Sequence, residues 1–89
     1  MNTEQGFKEF TEKMKLVLDL NQEKKGDSWV DCELQFLDDK LDEEYNEFKE
    51  ETKPLAKAEE CADMANVCMM LYNRYMDIWV EKTAKFLES

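Results

Sequence analysis

Histidine is absent from this 89-residue chain. Its absence removes Ser-His-Asp and Cys-His nucleophilic systems, histidine zinc sites and the Glu-x-x-His signature of di-iron bundles. Glycine occurs twice and proline once, and with abundant Glu, Lys, Leu and Met this composition favours helix over strand throughout. No run of about 18 apolar residues exists, and the N-terminus has no basic segment leading into a hydrophobic one. Neither a membrane span nor a signal peptide is expected, and the chain reads as cytoplasmic. Cations are the minority: 12 Lys and Arg face 22 Asp and Glu, a net charge of -10, which disfavours direct nucleic-acid binding and any phosphate polyanion without an intervening cation. The three cysteines, Cys32, Cys61 and Cys68, form no C-x-x-C pair and read as buried small hydrophobes in a reducing compartment.

Residues 1–89 fit a single small domain, and a chain this short covers little of its own apolar surface. The expected fold is all-α: a helical bundle of three to four helices, with a four-helix-bundle-like core completed by homo-oligomerisation, as a homodimer or a dimer of dimers. Phe7, Phe10, Met14, Val17 and Leu18 recur at helical steps behind an Asn2-to-Gln5 capping pair, predicting a first helix that ends near Asn21. The polar stretch 23–28 then offers Ser28 as the cap of a second helix opened by Trp29. That helix carries Val30, Leu34, Leu37, Leu41, Tyr45 and Phe48 on one stripe and ends at Thr52-Lys53-Pro54. No Gly or Pro follows, so residues 55 to 88 form one helix or two, with Asn73-Arg74 the favoured break. Between Cys61 and Tyr72 only Asp63 and Asn66 are polar. Ala58, Cys61, Ala65, Cys68 and Tyr72 form one stripe and Met64, Val67 and Leu71 another, so this segment expects partners on two sides, one of them another subunit.

Half of the 22 acids lie between residues 38 and 63. Most of them read as a solvated helix face, but two pairs do not. Glu44 and Glu47 are one turn apart, with Glu44 beside the Leu37-Leu41-Phe48 stripe; Glu60 and Asp63 repeat the spacing beside Met64, Val67 and Leu71. Antiparallel packing around the Thr52–Pro54 turn brings four carboxylates to one level, where protonation or cations must offset their repulsion. Oxygen donors without His or Cys suit Mg²⁺ or Mn²⁺.

Glu43-Glu44-x-x-Glu47, twelve intervening residues, then Glu60-x-x-Asp63 resembles the signature of the MazG-like all-α nucleoside triphosphate pyrophosphohydrolases. Asn21, Lys25, Gly26 and Trp29 are similar to the segment that precedes that signature in small phage-like and integron-type members, although many relatives place the Gly directly before the Trp. The resemblance implies hydrolysis of a nucleoside triphosphate, often a deoxynucleotide, to the monophosphate and pyrophosphate. It further implies Mg²⁺ as cofactor, with Mn²⁺ as a substitute. Glu44, Glu47, Glu60 and Asp63 match the family's metal ligands, and Glu43 matches the first acid of its signature. With no histidine to act as base, a carboxylate not fully committed to the metal, or the metal-bound hydroxide itself, must take that role; Glu47 is the first choice among the carboxylates, and Glu44 is carried with it as a catalytic residue.

Three residues are expected at the substrate. Lys25 is preferred among Lys25, Lys40, Lys53 and Arg74 for the phosphates. Trp29 either stacks on the base or staples the loop onto the second helix. Asn66 faces the sugar or base, a backbone carbonyl, or a second subunit. The competing reading is a non-enzymatic acidic helical interaction module that binds a basic partner, for which charge matters and metal does not.

Overall fold

The computed structural model describes residues 1–25 and 28–88, and the side chains of 1–20 and 28–87. Three α-helices follow in order, α1 (Thr3–Lys25), α2 (Leu34–Glu50) and α3 (Pro54–Glu88), with a 3₁₀ turn at Ser28–Val30 before α2. No strand occurs among the described residues.

The Asn2-to-Gln5 pair closes α1 as a reciprocal cap: Gln5 N donates to Asn2 Oδ1 at 2.8 Å and Asn2 N to Gln5 Oε1 at 3.4 Å. The helix runs to Lys25 rather than ending near Asn21, because Gln22, Glu23, Lys24 and Lys25 are all good helix formers. Helix α2 starts later than the Ser28 cap suggests. Ser28 O instead accepts from Asp31 N and Cys32 N, closing a 3₁₀ turn. The weak helix formers Trp29, Val30, Asp31 and Cys32 stay out of α2, whose N-cap, Glu33, is extended and makes no side-chain cap. Val30 therefore lies outside the α2 stripe.

The expected break at Asn73-Arg74 does not occur, and α3 is one helix of 35 residues, about 52 Å long. Asn73 stays helical with its amide donating to Met69 O at 2.9 Å. Both other helices pack on α3. Lys13 meets Glu59, Asn66 meets Met14 and Arg74 meets Trp29, so α1 runs in the same direction as α3 while α2 returns antiparallel between their ends. The buried core is Leu37, Val67 and Leu71, with Trp29, Cys32, Leu34, Leu41 and Met70 packed around it. Ala62 is fully buried. On α2 the stripe turns slightly from the simple pattern: Tyr45 is 50% exposed while Glu44, expected beside the stripe, is 7% exposed.

One side of α3 stays open. Of the Ala58-to-Tyr72 stripe, Ala58, Cys68 and Tyr72 are exposed while Cys61 and Ala65 are half-buried. Cys68 is exposed and Cys32 and Cys61 only half-buried, so none of the three cysteines is the fully buried hydrophobe its type suggests. Tyr75, Trp79 and Val80 continue the open surface. The radius of gyration is 15.7 Å, against about 12 Å for a compact domain of this length. No described helix is long and apolar enough to cross a membrane.

Candidate metal centre

The α2–α3 turn sets the register of the site. Glu51 Oε1 accepts from Thr52 N and Lys53 N at 3.0 and 3.1 Å, holding the three residues before Pro54 in a tight reversal. Lys57 reaches back across it, donating from Nζ to Phe48 O at 3.1 Å and Glu51 O at 3.3 Å, and its ammonium lies 4.3 Å from the Phe48 ring centroid. A cation at the C-terminus of α2 also suits the helix dipole.

In this register Glu44 and Glu47 of α2 meet Glu60 of α3, each with one carboxylate oxygen within 4.8 Å of the others. Glu44 is buried, Glu60 half-buried and Glu47 exposed, so the cluster opens to solvent at Glu47. Glu44 Oε2 and Glu60 Oε2 are buried with no hydrogen-bond partner. An unsatisfied buried acceptor costs on the order of 1–3 kcal/mol, more when it is charged. Glu44 Oε1 is met by Lys40 Nζ at 3.2 Å, and the same ammonium lies 3.8 Å from Glu43 Oε1.

One ammonium does not neutralise this set of acids, and the carboxyls hold their protons accordingly. Burial first, then the neighbouring Glu44, Asp63 and Glu47, push Glu60 up to about 7. Burial, with Glu44 and Glu47, pushes Asp63 up to about 6 against the opposing pull of Lys40. Glu47 is also raised, by partial desolvation at the helix interface and then by Glu44 and Glu43. Lys40 moves up as well: desolvation lowers it, but Glu44, Glu43 and Glu47 together outweigh that effect.

A hard divalent cation fits this arrangement. The donors are carboxylate oxygens, two of them orphaned and buried, and the open side leaves room for water or phosphate oxygens. No family model, curated protein or solved structure matches this chain.

Of the predicted acids, Glu44, Glu47 and Glu60 come together, and Asp63 sits beside them, within electrostatic reach but outside the tightest group. Glu43 lies on the outer side against Lys40, its side chain 59% exposed. The predicted substrate residues behave differently. Trp29 packs against the Leu37-Val67-Leu71 core, and its carbonyl accepts from Arg74 at 2.8 Å and from Cys32 Sγ at 3.6 Å, which fits the staple role. Asn66 is buried and its amide donates to Met14 O at 2.9 Å, the backbone-carbonyl role, tying α1 to α3. The side chains of Lys25 and Asn21, and Gly26 entirely, lie outside the described residues.

Lys40, one of the four cations considered for the phosphates, lies at the cluster itself. The signal for it was its i, i+4 spacing from Glu44, the one acid of the pair beside the apolar stripe. A shallow open depression of about 260 Å³ lies next to it, lined by Phe36, Asp39, Lys40 and Glu43. Sites that enclose small ligands run to about 300–1,000 Å³, so this depression alone does not enclose a nucleotide.

Proposed function

We propose that this protein is a divalent-metal-dependent nucleoside triphosphate pyrophosphohydrolase, converting a ribo- or deoxynucleoside triphosphate to its monophosphate and pyrophosphate. The observation that carries the reading is Glu44, 7% exposed with an unpartnered oxygen turned into a carboxylate cluster. An acidic helix face kept only for solubility would leave such a side chain in water. The order of the acids along the chain, which resembles the MazG-like signature, supports the same chemistry.

Glu44, Glu47 and Glu60, with Asp63 beside them, would hold Mg²⁺ or Mn²⁺. The ion, when bound, supplies neutralisation of phosphate charge and polarisation of water. Glu47 is the carboxylate that reaches solvent, and its raised pKa suits it to take a proton from an attacking water. Glu44, fixed by burial and by Lys40, orients the cluster. Phosphate oxygens enter from the Glu47 side.

The nucleoside requires more enclosure than one chain offers, and a second copy supplies it in this reading. The chain exposes 7134 Å², against about 5,500 Å² for a compact monomer of this mass. The excess, about 1,700 Å², is ample for one partner's share of an obligate interface. A homodimer or dimer of dimers built on the open face of α3 accounts for it.

The deciding experiment is pyrophosphate release from a panel of common and oxidised NTPs and dNTPs with Mg²⁺, Mn²⁺ or EDTA. Metal-dependent release with a base preference is the expected result. No release with either metal would overturn the enzyme reading in favour of an acidic helical interaction module.

A further inference from the structure

Lys40 stands where a cation is needed. Its ammonium is 3.2 Å from Glu44 Oε1, on the carboxylate whose other oxygen is buried and unpartnered, and its charge is felt at Glu47 and Asp63 as well as at Glu43. The ion pair described outside α2, Lys13 with Glu59 at 3.9 Å, joins α1 to α3 through one half-buried and one exposed side chain. Lys40 therefore serves the cluster in a way no other described lysine does. It also has a second set of partners within reach: the depression that Lys40 itself lines offers the ring of Phe36 and the carboxylates of Asp39 and Glu43, the latter already 3.8 Å from its ammonium. An ammonium on a flexible four-carbon stem can use all three.

We propose that Lys40 is the resident counter-ion of the carboxylate cluster and competes with a divalent cation for Glu44, swinging into the Phe36-Asp39-Glu43 depression when the divalent ion binds. The inference rests on the cluster being a divalent-cation site. Lys40 thereby acts as a positioning residue. It keeps Glu44 in place while the site holds no metal, and it sets the metal concentration at which the site fills. Once displaced, its ammonium stands at the rim of the cluster, able to meet an incoming phosphate oxygen.

The test is Mn²⁺ titration by calorimetry on the full chain, wild type against Lys40→Gln and Lys40→Arg, without nucleotide. A unit charge about 6 Å from a divalent ion, screened by a water-like dielectric, changes affinity about tenfold. Lys40→Gln should bind Mn²⁺ about tenfold tighter, while Lys40→Arg, which keeps the charge, should stay within about twofold of wild type. Equal or weaker binding by Lys40→Gln beside a binding wild type would overturn the proposal and leave the metal site standing. Failure of all three proteins to bind would instead remove the site itself. Acetylation of the wild-type lysines, followed by mass spectrometry, needs no variant to fold: Lys40 should react faster when Mn²⁺ is added while Lys82 does not change. An unchanged or slower reaction at Lys40 would overturn the proposal independently.

Discussion

Replacing Glu60 by Gln should make the metal-free protein more stable above neutral pH and deprive it of metal-induced stability. In the native cluster the Glu60 carboxyl titrates at about 7, against an ordinary 4.5. Between those values the folded chain binds more protons than the unfolded one. Its contribution is thus fully stabilising below about pH 4.5 and is lost as pH rises through about 7. The gap sets a ceiling of about 3 kcal/mol. Glu60 is partly open to solvent and interacts strongly with its neighbouring acids, which brings the expectation to on the order of 1–2 kcal/mol. For a domain of this size that corresponds to about 5–15 °C in melting temperature.

Glutamine keeps the shape, removes the charge and offers an amide N–H to the orphaned Glu44 Oε2. Circular dichroism melts in EDTA, at one protein concentration, should place Glu60→Gln above wild type at pH 8 and level with it near pH 4. Mn²⁺ at a hundred times its dissociation constant should raise wild type by about 2.7 kcal/mol and leave the variant nearly unmoved. Nucleotide turnover should be lost with helical content intact. A variant less stable than wild type at pH 8 in EDTA would refute the reasoning, because the carboxylate would then be a satisfied structural group.

Leu37, 2% exposed at the centre of the core, should cost about 2–5 kcal/mol when cut to Ala, read by urea denaturation. Arg74→Ala removes the donor to the Trp29 carbonyl and should cost about 1–3 kcal/mol; Trp29 emission should shift to the red in a background where Trp79 is Phe. Trp79→Glu places a charge on the open face of α3, where Trp79 is 61% exposed. If the proposed oligomer uses this face, sedimentation should show a smaller assembly with unchanged helix content, and an unaltered mass would refute a subunit contact there.

The helical class and the α2–α3 reversal were legible because they depend on local signals: scarce Gly and Pro, an Asn2–Gln5 cap, and Pro54 at the start of α3. The carboxylate cluster was legible for the same reason, since i, i+3 spacing on two helices joined by three residues leaves little freedom in register. Boundaries set by competition were not. Whether Ser28 caps a helix or closes a 3₁₀ turn is a close competition among weak helix formers, and the turn it closes is met by Arg74, which lies 45 residues beyond Trp29 and donates to its carbonyl. Asn73, the residue that suggested a break, is accommodated inside α3 with its amide on Met69 O, since one weak helix former does not interrupt a segment without Gly or Pro. Trp29 and Asn66 were ambiguous because an aromatic ring or an amide serves a ligand or a scaffold equally well until its partners are known. Lys40 differs from the other lysines in sequence only by its i, i+4 spacing from Glu44, a signal that gains weight once Glu44 is seen to be buried.

The three-residue reversal between α2 and α3 also dictates an order of assembly. Glu44 and Glu60 are 16 positions apart, whereas Asn66 and Met14, which dock α1, are 52 apart. The shorter closure loses less chain entropy and comes earlier. The nascent hairpin must therefore bring its acids together before α1 has arrived to cover Ala62 and Asn66. Repulsion among those acids then falls on the folding barrier, so acid or millimolar divalent cation should hasten folding more than it slows unfolding. Negative charge crowded at one level of the hairpin thus leaves its mark on the speed at which the chain folds.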